Sequence, residues 1–471
     1  MPSYAELRIE QTAAGIDRLR RELCDWAQRR LARDAAGQYR TQLTSVRDTF
    51  GAALRRIGVV CDQVPAGEAF ERCRAVDRQV ALVRRLWRWY ADKFDQRDDP
   101  ASARLLAAAD EVVWSVHAQV YRSAQISPLP PAPLPYLDAV TAPEAIVRDD
   151  PPARLRPDSF DDHLRLLLSR LPVPAVALSE AARAEPWTLV LLGHEVGHHL
   201  MYDLQPRFGL VAAVRRRVTA AATSGGERWG RWSAELFADL AGLVTMGPAT
   251  LAALLPYELG ADAWLLGDRR DSYPPPAVRI ALLAALGSRL GLDCRRELAG
   301  HDPAVWAADR GDDSYPVERA GVRADLAQLA GVAEVLAGIA VTPDGAEPKA
   351  TLADLAMFRA AEFGRYGRVE ARADQLLADD GSGDQGLTAV RELASAGMVA
   401  WLRLSRSAAP ERRARASALA AAVVDRLIAA REPGVRAAMA AGGAADADQD
   451  RADQDRADQD LVARLSFVES P

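Results

Sequence analysis

The chain has 471 residues, more than one ordinary hydrophobic core accommodates, which predicts two to four domains. A composition of 49% hydrophobic and 26% charged residues excludes a disordered or fibrous protein, and a net charge of −6 leaves no global field to gather nucleic acid or anionic lipid. Positive charge is almost entirely arginine, with Lys93 and Lys349 the only lysines, and with the Ala-rich helices this reads as coding bias and not as a recognition surface.

Cys24, Cys61, Cys73 and Cys294 stand far apart with no CxxC pair, as expected of reduced structural thiols. The start, MPSYAELRIEQ, lacks a basic stretch followed by an apolar one, so no secretory leader is expected. No run approaches the ~18–20 apolar residues of a membrane helix. A soluble cytoplasmic protein without membrane insertion is the expectation.

The first part reads as helices. Ile16, Leu19, Leu23 and Trp26 recur at three-four spacing, as do Leu43, Val46, Phe50 and Ile57. Val76, Val80, Val83, Trp87 and Tyr90 repeat the pattern, followed by Leu106, Ala109, Val113, Val116 and Val120. Breaks at Ala35-Ala36-Gly37, Pro65-Ala66-Gly67 and Asp98-Asp99-Pro100 give a bundle of about four helices. Pro128, Pro130, Pro131, Pro133 and Pro135 then form a stiff connector. Two strand-like pieces follow, Ala145–Val147 and Val173–Leu178. Pro174 cannot donate to a ladder, which places the second piece at a sheet edge. Helices resume at Pro186, continue to about Ala340 apart from a loop at Gly267–Pro276, and return until near Ala440. The tail repeats Arg-Ala-Asp-Gln-Asp, a period that fits neither helix nor strand and buries almost nothing.

Within the helical run after Pro186, His194, Glu195 and His198 form H-e-x-x-H. Residues four apart on a helix differ by only ~40° around its axis, so both imidazoles leave one face and can reach one ion. Zinc takes nitrogen ligands in a tetrahedral array, and a catalytic zinc keeps one position for water. Glu195 lies off the metal and can take a proton from that water and later pass one to a leaving amine. In a second helical stretch Glu235 and Asp239 also share a face. Glu235 can complete the coordination, and Asp239 can accept the second-nitrogen hydrogen bond of a ligand histidine. No third histidine follows at the metzincin spacing.

This pattern, H-e-x-x-H followed by e-x-x-x-D on a second helix, resembles the gluzincin zinc metallopeptidases of the thermolysin-like clan, and His194, Glu195, His198, Glu235 and Asp239 match it residue by residue. The resemblance implies one zinc per chain and an active-site helix under a small sheet whose edge strand binds an extended substrate, with Val173–Leu178 as the candidate strand. Tyr273-Pro-Pro-Pro-Ala-Val-Arg279 is similar, more distantly, to the His-Pro-x-x-x-x-Arg segment of the CAAX-prenyl-protease and heat-shock membrane gluzincins, with Tyr273 in the place of the His. Tyr273 is a candidate donor to a developing oxyanion, and Arg279 a candidate to position substrate or pair with a nearby acid.

The expected fold is mainly α with a small sheet (α+β), a zincin-like core flanked by helical bundles. Its boundaries are an N-terminal bundle over 1–127, the core over 128–340, a C-terminal helical region over 341–445 and a low-complexity acidic tail over 446–471. His117, His163 and His301 have no ligand-spaced partners, His117 reading as a boundary residue and His199 as a neighbour packed beside the ligand helix. The expected activity is endopeptidase hydrolysis of a protein or peptide, with the helical flanks available to a protein partner. The alternatives are a helical interaction protein retaining the core with little turnover, and a regulatory protease specific for one partner.

Overall fold

The computed structural model describes residues 2–34, 37–123, 126, 129–156, 171–267, 272–294, 298, 301–308, 315–341, 350–355, 364–378 and 387–431. The repeat tail and His163 lie outside the described residues. The protein is mostly helical with one small three-stranded mixed sheet. Chain contacts divide it into two compact units, one built on residues 1–83 and the other on residues 84–124 and 132–431.

In the first unit, α1 spans Tyr4–Arg33 and α2 spans Arg40–Asp62. Ser3 caps α1, its hydroxyl accepting from the Glu6 N–H at 3.2 Å while the Glu6 carboxylate accepts from the Ser3 N–H at 2.6 Å. The helices meet along the stripes read from the sequence, with Ile16, Leu19 and Leu23 of α1 and Leu43, Val46, Phe50 and Ile57 of α2 buried. α3, Ala69–Asp95, carries the chain onward, and Arg8 at its side of α1 pairs with Asp77.

The second unit holds the sheet. α4, Pro100–Ser123, starts with proline at its first position behind Asp99, whose carboxylate accepts from the Ala101 N–H at 3.2 Å. Strands β1 (Leu134–Asp138), β2 (Glu144–Ile146) and β3 (Ala175–Ser179) lie in the order β1-β3-β2. β3 is therefore the central strand, parallel to β1 and antiparallel to β2. This corrects the edge placement expected for Val173–Leu178. Pro174 stands just before the ladder and contributes only its carbonyl, which accepts from the Leu134 N–H at 2.8 Å, so its missing N–H costs nothing. Ala175 through Leu178 are all buried, as a strand covered on both faces requires.

The outer edge of β1 is closed by side chains. Gln96 exchanges two hydrogen bonds with Leu137, 2.9 Å to its carbonyl and 2.8 Å from its N–H, and Arg97 donates to the Pro135 carbonyl at 2.9 Å. A side-chain amide thus takes the place of a further strand.

Helices α5 (Leu192–Asp203), α6 (Ser233–Met246), α7 (Ala249–Glu258) and α8 (Pro276–Arg289) pack around one another. Later in the chain α9 (Leu387–Ser405) and α10 (Ala409–Ala429) pack on α4. Trp401 of α9 stacks on Trp187 at a centroid distance of 4.3 Å, and Ser395 donates to the Met246 carbonyl at the end of α6 at 2.8 Å. Among the described residues no helix is long and apolar enough to cross a membrane. None of the four cysteines forms a disulfide, Cys61, Cys73 and Cys294 being buried and Cys24 half-buried.

His117 is not at the boundary expected for it. It is fully buried in α4 beside Trp114 and Tyr121, because the apolar face of α4 is covered by more than one helix, and neither ring nitrogen has a hydrogen-bond partner. Burial, reinforced by the charge of Arg148, pushes its pKa down to about 3. In the unfolded chain the same ring titrates near ~6.5. As pH falls below that value the unfolded chain takes up a proton that the folded one refuses, so stability is lost from about pH 6.5 down to about pH 3. His117→Phe, which keeps the ring packing and removes the titration, is expected to flatten this loss by roughly 2 kcal/mol between pH 7 and pH 5. Urea midpoints at the two pH values test it, and equal losses for both proteins would refute the assignment.

Candidate metal centre

The 3-10 turn Pro186–Leu191 leads into α5, which carries His194, Glu195 and His198, while α6 carries Glu235 and Asp239. Both helices are deeply buried, and the small residues between them explain how closely they approach. A Cβ built on Gly197 would stand 2.6 Å from the Ala241 Cβ and 2.9 Å from the Ala238 Cα, and one on Gly193 would stand 2.8 Å from Met246 and Thr245. Any side chain at these two positions would push α5 off α6. The glycines lie one residue before each histidine, so the glycine stripe meets α6 while the neighbouring stripe presents the imidazoles.

The consequence is a convergence of ligand atoms. His194, His198 and Glu235 each place one donor atom within 4.8 Å of the others, a buried group that could hold a metal ion. The two Nε2 atoms are 3.2 Å apart, and the Glu235 oxygens lie 3.5 Å from His194 Nε2 and 3.6 Å from His198 Nε2. Donors around a tetrahedral ion with bonds of about 2.0–2.1 Å are about 3.3 Å apart, so the spacing fits one zinc-sized ion. The Oε2 of Glu235 is buried with no hydrogen-bond partner, an acceptor that a cation would satisfy.

Around the three lies a second set of contacts. His194 Nδ1 lies 2.9 Å from the Asp239 carboxylate, a charge contact out of line for a hydrogen bond, while Nε2 faces the cluster. Burial disfavours an imidazolium at His194, yet the carboxylates of Asp239 and Glu235 outweigh it and raise its pKa to about 10. His198 goes the other way, down to about 4, because burial prevails over the pull of Glu235. Glu235 is buried too, but the neighbouring histidines and Arg279 hold its carboxyl down to about 2. Asp239 is likewise held below the usual carboxylate range against its burial, chiefly by Arg279.

Glu195 is 6% exposed. Burial, with Glu235 adding repulsion, raises its carboxyl to about 7 against the opposing pull of His194 and Arg279, and the Ala145 N–H of β2 hydrogen-bonds to it. Edge strand β2 therefore faces α5 beside this carboxylate. His199 is buried on another side of α5, both ring nitrogens unpartnered, in agreement with its turn of ~100° away from His198.

Arg279 reaches the cluster from α8. It is 5% exposed, and it donates Nε and Nη2 to the two Asp239 oxygens at 2.9 and 2.7 Å. Its Nη1 donates to Glu258 at 2.9 Å, and Nη2 lies 3.6 Å from Glu235 Oε2. Of the two roles open to Arg279, this is pairing with nearby acids. Tyr273 lies with its ring 5.9 Å from the Arg279 guanidinium, and burial and the negative charge of Glu235 both raise its hydroxyl pKa.

Four contributors stand outside the ligand motif. Glu258 ends α7 and is buried. Ala145 acts through its backbone, and Gly193 and Gly197 through the absence of a side chain. The glycines have a readable signal in retrospect, a G-x-x-x-G spacing threaded through the histidine pair and answered by Ala238 and Gly242 on α6. No family model matches the chain, and neither the curated proteins nor the solved structures contain a match.

Proposed function

We propose that the chain is a zinc-dependent peptidase, an endopeptidase with a zincin-like core of the gluzincin kind, acting on a protein or peptide. The observation that carries this reading is the convergence of His194, His198 and Glu235 donors with the Glu195 carboxylate directly beside them. Zinc held there would supply Lewis-acid polarisation of a substrate carbonyl and increase the acidity of a water.

The chain's own residues divide the remaining work. His194, His198 and Glu235 would hold the ion, and the Asp239 carboxylate, 2.9 Å from His194 Nδ1, would favour the tautomer with its proton there. Glu195 takes a proton onto its carboxylate from the attacking water and delivers it to the leaving amine nitrogen. Tyr273 neighbours Glu235, and its single O–H would turn from that carboxylate to charge developing on the carbonyl oxygen. An extended substrate has one sheet edge to pair with among the described strands. The β1 edge is filled by Gln96 and Arg97, while β2 is the other edge and lies beside Glu195. The substrate strand of this reading is therefore β2.

Elemental analysis of the purified protein tests the centre. The wild type is expected to carry about one zinc per chain, and His194→Ala and Glu235→Ala to lose it or bind it at least ~100-fold more weakly, each having lost one of three protein ligands. A wild type that stays metal-free when zinc is supplied would remove the centre and the peptidase reading together.

A further inference from the structure

Glu258 stands where its local surroundings oppose it. It is the last residue of α7, where the helix dipole disfavours an anion, and it is 4% exposed, where an unpaired carboxylate is costly. What compensates is Arg279, whose Nη1 donates to it at 2.9 Å. The same guanidinium spans both Asp239 oxygens through its other edge. Arg279 is thus held between two carboxylates on two helices, α6 and α7, while itself belonging to a third, α8.

That arrangement decides where the Arg279 charge goes. Its Nη2 is 3.6 Å from Glu235 Oε2, the unpartnered ligand oxygen, and 3.5 Å from His194 Nε2. A shift of a little under 1 Å would bring it to a charge-assisted hydrogen bond with Glu235, typically about 2.7–2.9 Å, and would occupy the oxygen offered to the ion. Asp239 alone holds one edge of a planar group that can still pivot about it. Glu258 fixes the far corner and removes that freedom.

We infer that Glu258 is a positioning residue of the metal centre, anchoring Arg279 against Asp239 so that Asp239 stays aimed at His194 and Glu235 stays open to the ion. The role rests on the metal-centre reading and adds to it a residue that no motif contains. Glu258 is not one of the three ligand residues, and the contact that carries its role is the hydrogen bond from Arg279.

The test is zinc affinity, measured by competition with a chromophoric chelator, in the wild type, Glu258→Gln, Asp239→Asn and the double variant. Urea midpoints of the zinc-free proteins are measured alongside. Glu258→Gln is expected to weaken zinc about 10- to 100-fold, the range for residues that orient metal ligands, and the double variant to bind little worse than Asp239→Asn alone, since both changes release the same arginine. Unchanged affinity in Glu258→Gln, or losses that multiply in the double variant, would overturn the inference. So would a fall in the urea midpoint with zinc binding intact, the signature of a merely structural acid. If Glu258→Gln does not fold, Arg279→Lys reads the same link, because an ammonium cannot span both carboxylates, and wild-type affinity there would be equally fatal. A wild type that binds no zinc fails differently, by removing the centre itself.

Discussion

Glu195→Gln is expected to bind zinc as the wild type does and to hydrolyse peptide roughly 10²- to 10⁴-fold more slowly, the usual loss when a positioned proton carrier is removed. Glutamine keeps the size of the side chain and one acceptor for the Ala145 N–H, so β2 stays in place. It removes the only carboxylate of α5 beside the cluster, and no ligand atom belongs to residue 195. The measurement is turnover of a peptide mixture with zinc content determined on the same samples. Wild-type turnover in Glu195→Gln would show that this carboxylate moves no essential proton. A biological role unchanged by the substitution would favour the interaction-protein alternative, in which the centre binds without turning over.

Gly197→Ala is expected to damage both folding and the metal centre, although alanine is the better helix former by about 1 kcal/mol. The new methyl would stand 2.6 Å from the Ala241 Cβ and 2.9 Å from the Ala238 Cα. Relief to ordinary contact requires α5 and α6 to part by something near 1 Å, and overpacking of this kind costs typically 1–3 kcal/mol. Ligand distances at a metal tolerate about 0.2 Å, so the same displacement pulls Glu235 away from the histidines. Zinc affinity is expected to fall at least ~100-fold, comparable to loss of an orienting partner or more. Gly15→Ala on α1 is the control, since a Cβ there meets nothing within 4 Å and should gain the propensity term. Wild-type zinc affinity in Gly197→Ala would mean that the close approach of the helices does not set the ligand geometry.

The parts legible in the sequence are those determined over a few residues. His194 with His198, and Glu235 with Asp239, share faces because four residues make about one helical turn, and the structure brings the two pairs together. The stripes of α1 and α2 were readable for the same reason. Strand order is not a local property, and Pro174 pointed the wrong way because it lies one residue outside the ladder. The unbroken apolar run Ala175–Leu178 was the better guide to a central strand. Glu258 was invisible, since an acid that matters through an arginine on another helix has no spacing to betray it. His117 reads as a boundary residue in the sequence because its burial depends on helices that pack on α4 from far along the chain.

The stack of Trp187 on Trp401 and the bond from Ser395 to Met246 also bear on when the centre can form. A ribosome makes every proposed metal ligand well before it makes α9, yet α9 covers both the turn that starts α5 and the last carbonyls of α6. A nascent chain ending near residue 341 would expose Trp187 and leave the end of α6 uncovered. On the proposed reading, competence for hydrolysis would wait until α9 has been made, and a fragment cut to the motif region is expected to be an inert polypeptide instead of a minimal enzyme.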